Sequence, residues 1–273
     1  MTRRHGPQIV GIVNITEDSF SDDGRYLAAE DAVAHACELR SAGADIVELG
    51  PAASHPDSMR VSADQEWLRL APVIEHLTAR QIPVSVDSYL PETQRYAIAC
   101  GAAYLNDIQG FPETQSYAAL ADADCRLVVM HSVQRTGPAT KVATDPAAIW
   151  TGIDRFFTER LAALRDAGIA RDRLIIDPGL GYFLGSNPEP SLLVLAGIRR
   201  LKERFGLPVL VSPSRKSFLR TITGRDVPEI GPASLAAELY AAWQGVDYIR
   251  THDAAALHDA LTVIGAARAG ASS

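Results

Sequence analysis

Cysteine is scarce in this 273-residue chain: Cys37, Cys100 and Cys125 are its three, and their wide separation fits no zinc or redox spacing. They read as small buried hydrophobes of a reducing compartment, so the expected location is cytoplasmic. Long apolar runs are missing too. No stretch approaches the ~18 apolar residues of a membrane span, which argues against a membrane partner. Arg3-Arg4 has the look of an export signal, but the apolar run behind it, 9–13, is short and stops at Asn14. Positive charge is in deficit, with 26 Lys and Arg against 33 Asp and Glu and a net charge of −7. No nucleic-acid partner is expected, whereas a small anionic substrate needs only local positive charge. Walker, HExxH and acidic-cluster metal patterns are absent. Gly179-Leu180-Gly181-Tyr182-Phe183-Leu184-Gly185 approximates a dinucleotide fingerprint, but its spacing is one residue too long and no early acidic partner follows.

Hydrophobic residues make up 47% of the chain, enough for a large core. Eight short runs rich in Val and Ile fall at 9–13, 46–49, 83–86, 103–105, 127–130, 174–176, 208–211 and 246–249. They read as uninterrupted apolar segments, as parallel strands covered on both faces should. Segments of helical period lie between them, at 29–42, 63–80, 92–100, 147–167, 191–205 and 234–244. Gly43, Gly101 and Gly245 stand where a helix should stop in a left-handed cap before the next strand. Eightfold β-α alternation predicts a closed single-domain α/β fold, the (β/α)8 or TIM barrel, over 1–273, with loose tails near 1–7 and 269–273. A doubly wound open sheet is the alternative.

Nearly every run is followed by polar residues: Asn14, Asp87, Asn106-Asp107, His131, Asp177, Ser214-Arg215-Lys216-Ser217, and Arg250 with His252. In a barrel these converge on the C-terminal rim, where this fold keeps its active sites. Turn chemistry accounts for one such residue but not for so many of mixed charge. Arg215, Lys216, Arg250 and His252 put cations at strands seven and eight, beside a predicted helix start, and so favour a phosphate ester or diphosphate. Asp87, Asn106 and Asp177 are expected on the other side, where carboxylate and amide suit a flat heterocycle with adjacent N–H and NH2 donors. Asp107 reads as a buried carboxylate holding a loop, and His5, His35, His76 and His258 as surface or packing residues.

The run from Gly11 to Gly24, Gly-Ile-Val-Asn-Ile-Thr-Glu-Asp-Ser-Phe-Ser-Asp-Asp-Gly, resembles the first-strand signature of dihydropteroate synthases. Val84-Ser85-Val86-Asp87-Ser88, Leu105-Asn106-Asp107-Ile108, Val129-Met130-His131, Ile176-Asp177-Pro178-Gly179, Ser214-Arg215-Lys216-Ser217 and Ile249-Arg250-Thr251-His252 resemble its later blocks, in order. The resemblance implies an alkyl-transferring enzyme of folate synthesis. Such an enzyme joins 6-hydroxymethyl-7,8-dihydropterin diphosphate to p-aminobenzoate with release of pyrophosphate, uses Mg2+ and acts as a homodimer. It further implies that Asp87, Asn106, Met130, Asp177 and Lys216 hold the pterin. Asn14, Ser54, His55, Arg250 and His252 would hold the diphosphate, with Asn14 at the metal. Ser54, Tyr182, Phe183, Arg215 and Ser217 would face the p-aminobenzoate. Asp87, Arg215 and Lys216 are the expected catalytic groups, and the loops 15–25 and 51–61 are expected to close over the site.

The chain departs from the family pattern at three places. His55 replaces an arginine, Ser212 replaces a glycine, and the loop after Asp177 is longer and carries Phe183. This grouping resembles the sulfonamide-insensitive members, and steric rejection by Phe183 or its loop is the expected cause. Two rival readings are a methyltetrahydrofolate-dependent methyltransferase and a non-catalytic pterin-binding paralogue.

Overall fold

Each apolar run is a strand: β1 (Gln8–Asn14), β2 (Ile46–Gly50), β3 (Val84–Asp87), β4 (Tyr104–Asp107), β5 (Arg126–Met130), β6 (Leu174–Asp177), β7 (Leu210–Val211) and β8 (Tyr248–Thr251). The structure, a computed structural model, describes residues 6–15, 25–52 and 60–271, with 25–28 as backbone. All pairings are parallel, in the order β6-β5-β4-β3-β2-β1-β8-β7. A bridge between Ile176 and Val209, with the Ile176 N–H donating to the Pro208 carbonyl at 3.0 Å, joins the two ends. The barrel is therefore closed, and the open-sheet alternative falls because that arrangement would leave two free edges. β7 is two residues long rather than the four of the run 208–211; Pro208 has no N–H for a ladder.

The helices are α1 (Arg25–Ser41), α2 (Ala63–Ala79), α3 (Pro91–Ala99), α4 (Tyr117–Asp122), α5 (Ile149–Asp166), α6 (Glu189–Ala196), α7 (Ile198–Phe205), α8 (Ser217–Thr223), α9 (Gly231–Trp243) and α10 (Ala254–Ala271). Ser62 and Gln65 close a reciprocal capping box on α2. The expected left-handed stops are present, with φ of +102°, +81° and +86° at Gly43, Gly101 and Gly245. Two expectations need correction. Segment 191–205 is two helices, broken at Gly197, where Trp150 packs so closely that a Cβ would collide with its ring. The expected loose tail is helical as far as Ala271.

Strand alternation sorts the side chains into an outer and an inner set. Val13, Val47, Leu49, Val84, Val86, Leu105, Leu127, Val129 and Ile249 face outward and join the helices in the main core. Val10, Ile46, Val128, Ile175, Leu210 and Tyr248 face inward and fill the barrel's lower half, with Tyr104 against them. Above that plug, toward the C-terminal rim, the inward positions turn polar.

Candidate active site

Inward positions near the strand ends build the site. Glu48 meets Ser85 and Arg250, Arg250 meets Asp87, Asn106 stands beside Asp87 in register, and Met130 stands beside Asp177. Glu48, Asn106 and Asp177 are buried, at 1%, 1% and 3% exposure. A cavity of about 480 Å³ opens above them, lined among others by Asn14, Asp87, Arg215, Lys216, Arg250 and His252. Tyr182, Phe183 and Ser217 line the same cavity. Met130 lies behind Phe183, packed with Ile108 and Ala139. Of the residues expected from the rim pattern, Asn14, Asp87, Ser214, Arg215, Lys216, Ser217, Arg250 and His252 line this cavity, whereas His131 is buried away from it, with Nδ1 3.1 Å from the Pro178 carbonyl and its ring against Phe156. Ser54 and His55 lie outside the described residues, as does most of the two expected closing loops.

The separation of cations from carboxylates expected from the sequence does not hold. Arg250 Nη2 donates to Asp87 Oδ2 at 2.8 Å, and Arg250 Nε lies against Glu48 Oε1. The second contact is an ion pair without hydrogen-bond alignment, since both atoms lack a hydrogen-bond partner. Glu48 Oε2 accepts from Ser85 Oγ at 2.9 Å. Burial lifts the Glu48 carboxyl to about 7; Arg250 opposes the shift and Asp87 adds to it. Burial disfavours charge on Arg250 as well, but Glu48, Asp87 and Asp177 outweigh it and hold the guanidinium protonated.

Glu48 was missed because one acid within a five-residue apolar strand reads as noise. The signal was its register: it stands two residues from Ile46 and two from Gly50, on the strand face that turns inward.

Asp177 sits at the end of β6. Its Oδ1 accepts from Gly179 N–H at 2.8 Å, and burial lifts the carboxyl to about 6 against the pull of that bond and of Lys216. Gly179 is obligatory, with φ of +73° and the His131 carbonyl where a Cβ would stand. Asn106 Oδ1 is buried without a partner among the described residues, an acceptor open to a ligand's donor. Asp107, one residue on, points outward and accepts from Gln94 Nε2 and Gln109 N–H, the loop-holding role expected of it.

At strands seven and eight, Arg215 is exposed and Lys216 half-buried. The Lys216 ammonium lies 5.0 Å from the centre of the Phe183 ring. Burial, helped by the nearby Arg250, lowers Lys216 to about 8 against the opposing pull of Asp177, Asp87 and Glu48. His252 Nδ1 is 3.0 Å from Ser214 Oγ, and burial with Arg215, Arg250 and Lys216 nearby holds the imidazole neutral, near 3. His252 thus offers hydrogen bonds rather than charge.

The pterin binding enzyme family matches residues 10–252, spanning all eight strands. Dihydropteroate synthase type-2 of Escherichia coli is 55% identical over 94% of this chain and 95% of its own. The chain belongs to the dihydropteroate synthase family of pterin binding enzymes. A solved structure of Xanthomonas albilineans dihydropteroate synthase with 4-aminobenzoic acid superposes with a TM-score of 0.87 at 40% identity, covering 97% of this chain and 94% of that one. The same enzyme in complex with 7,8-dihydropteroate gives 0.82 at 36% identity, with the same coverage.

Proposed function

We propose that the chain condenses 6-hydroxymethyl-7,8-dihydropterin diphosphate with p-aminobenzoate, giving 7,8-dihydropteroate and pyrophosphate. The observation that carries this reading is one cavity lined by Arg215, Lys216 and Arg250, with buried acceptors close to it. The three cations suit a diphosphate, and Asn106 Oδ1 and the Asp177 carboxylate, the latter within reach of the Lys216 and Arg250 charges, supply acceptors for ring N–H groups. Methyl transfer would leave the cations without a diphosphate to hold.

The pterin seats its amino edge on Asp177 and Asn106, with Met130 and Lys216 against its faces. Asn14, Arg250 and His252 take the diphosphate, with Ser54 and His55 contributing from the second loop. Arg250 then exchanges its contact with Asp87 for phosphate oxygens. Asp87, relieved of that counter-charge, faces the methylene carbon as the C–O bond breaks and the electron pair leaves with pyrophosphate. The arylamine nitrogen forms the new bond to that carbon and gives up a proton, while Arg215, Ser217, Ser54 and Tyr182 hold the aminobenzoate. Asn14 offers an amide oxygen without an adjacent carboxylate, a donor suited to a Mg2+ that arrives on the diphosphate and keeps most of its water. Mg2+ would neutralise charge on the leaving pyrophosphate.

Phe183 narrows the aminobenzoate end. Its ring is 6% exposed, packed on Met130, Ile108 and Ala139 and capped by Lys216. That wall admits the small carboxylate of the substrate and rejects the bulk that sulfonamides carry beyond it, which makes the enzyme sulfonamide-insensitive.

Far from the rim, α9 and α10 carry an apolar groove in which Trp243 is 69% exposed, beside Tyr240 and Leu261, with Val263 at 68% on the same helix pair. A second copy of the chain is the partner assigned to that face. No helix among the described residues is long and apolar enough to cross a membrane, and the free cysteines suit a cytoplasmic enzyme. The test of this function is mass-spectrometric detection of 7,8-dihydropteroate from the two substrates; pterin bound but unconverted would identify a binding paralogue instead.

A further inference from the structure

Arg215 has φ of +58°, a left-handed conformation that residues other than Gly, Asn and Asp seldom hold. Its backbone N–H donates to Ser234 Oγ at 3.0 Å. Ser234 is 6% exposed and lies in the first turn of α9, where its own N–H donates to the Ile230 carbonyl. The Lys216 N–H closes the turn onto the Pro213 carbonyl at 3.2 Å. The reversal sends neighbouring side chains different ways, with Arg215 exposed at the mouth and Lys216 turned toward the Phe183 ring. One helical turn along the same face of α9, Glu238 lies near enough to the Thr251 hydroxyl, between Arg250 and His252, for that hydroxyl to favour its charged form. One face of α9 thus grips the roots of both cationic segments.

We infer that Ser234 is a positioning residue, whose hydroxyl fixes the left-handed turn that sets Arg215 at the mouth of the substrate site and Lys216 inside it, against the Phe183 ring. Ser234 touches neither substrate in the proposed reaction and acts only through the Arg215 peptide. Without an acceptor, the half-buried N–H loses its bond, and with it the support that α9 gives the rare backbone conformation. The inference takes the roles of Arg215 and Lys216 from the proposed synthase reaction, whereas the backbone geometry stands apart from it.

The test compares Ser234→Ala with Ser234→Thr, which keeps the hydroxyl. Alanine is a strong helix former, so α9 should survive the substitution. Amide exchange over residues 212–219 reads the turn directly, and calorimetric binding of 6-hydroxymethylpterin reads Lys216. Steady-state kinetics separate the KM for p-aminobenzoate from kcat. Ser234→Ala should exchange faster over this segment, bind the pterin more weakly and lose roughly tenfold in kcat/KM, as removal of one buried hydrogen-bond acceptor implies. Ser234→Thr should stay close to wild type. Unchanged exchange and binding in Ser234→Ala would overturn the inference, as would a lower melting temperature with KM, kcat and affinity untouched. A wild type inactive as a synthase would refute the proposed reaction, while exchange and pterin binding would still decide the role of Ser234.

Discussion

Arg250 on β8 and Asp87 on β3 meet at 2.8 Å inside the barrel, across the two strands that separate them in the sheet. Their side chains are 15% and 8% exposed, and Glu48 closes the group from below. Three carboxylates, with Asp177, therefore share two cations, Arg250 and Lys216. The excess negative charge is what a protonated carboxyl or a bound cationic group can relieve.

Removing the arginine strands Glu48 and Asp87 together. Arg250→Ala should lose about 3–5 kcal/mol of stability near neutral pH, the cost of breaking a buried pair from one side. Denaturant titration at pH 8 and pH 5 checks this, and the loss should shrink at pH 5, where Glu48 takes up a proton. Arg250→Lys should recover stability but not activity, because an ammonium cannot reach both carboxylates in the manner of the fork.

Asn106 presents a buried oxygen that nothing among the described residues satisfies. Asn106→Ala should weaken pterin binding by about 1–3 kcal/mol, roughly fivefold to a hundredfold, as the loss of a buried ligand hydrogen bond implies. Calorimetry with 6-hydroxymethylpterin measures it, and an unchanged affinity would show that this oxygen is not the ring's acceptor.

Phe183→Ala should lower the sulfonamide inhibition constant by roughly tenfold to a hundredfold, the size of small steric discriminations in binding pockets. The KM for p-aminobenzoate should move far less, since the substrate does not extend to the cleared space. Inhibition kinetics on the two proteins decide it; an inhibition constant that stays where it was assigns the discrimination elsewhere.

Glu238 is buried on α9, with one oxygen unpartnered, and burial lifts its carboxyl from 4.5 to about 7. A folded-state pKa above the unfolded value means that the native state holds the proton longer. The stability this group contributes is thus fully present below about 4.5 and is lost as pH rises through about 7. Glu238→Gln should accordingly melt above wild type at pH 8, with the gap closing by pH 5. Thermal melts at both values check the sign.

Much of the fold was legible because its signals are local. Hydrophobic runs, glycine stops and a polar residue after each run depend on a few neighbouring positions, and Asn14, Asp87, Asp177 and Arg250 all reach the rim as that pattern implies. What stayed hidden was non-local. Arg250 and Asp87 stand 163 residues apart, and nothing along the chain announces that one neutralises the other. Ser234 reads as an ordinary helix residue, because its bond to Arg215 exists only once α9 lies beneath that loop. The break at Gly197 likewise follows from Trp150, a residue on another helix.

The measurement closest to the central claim is pyrophosphate release by the purified protein from the pterin diphosphate and Mg2+, with and without p-aminobenzoate. Release that requires p-aminobenzoate, persists at high sulfonamide and disappears in Arg250→Lys is the predicted result. No release, or release indifferent to p-aminobenzoate, would contradict the reading of this barrel as a synthase.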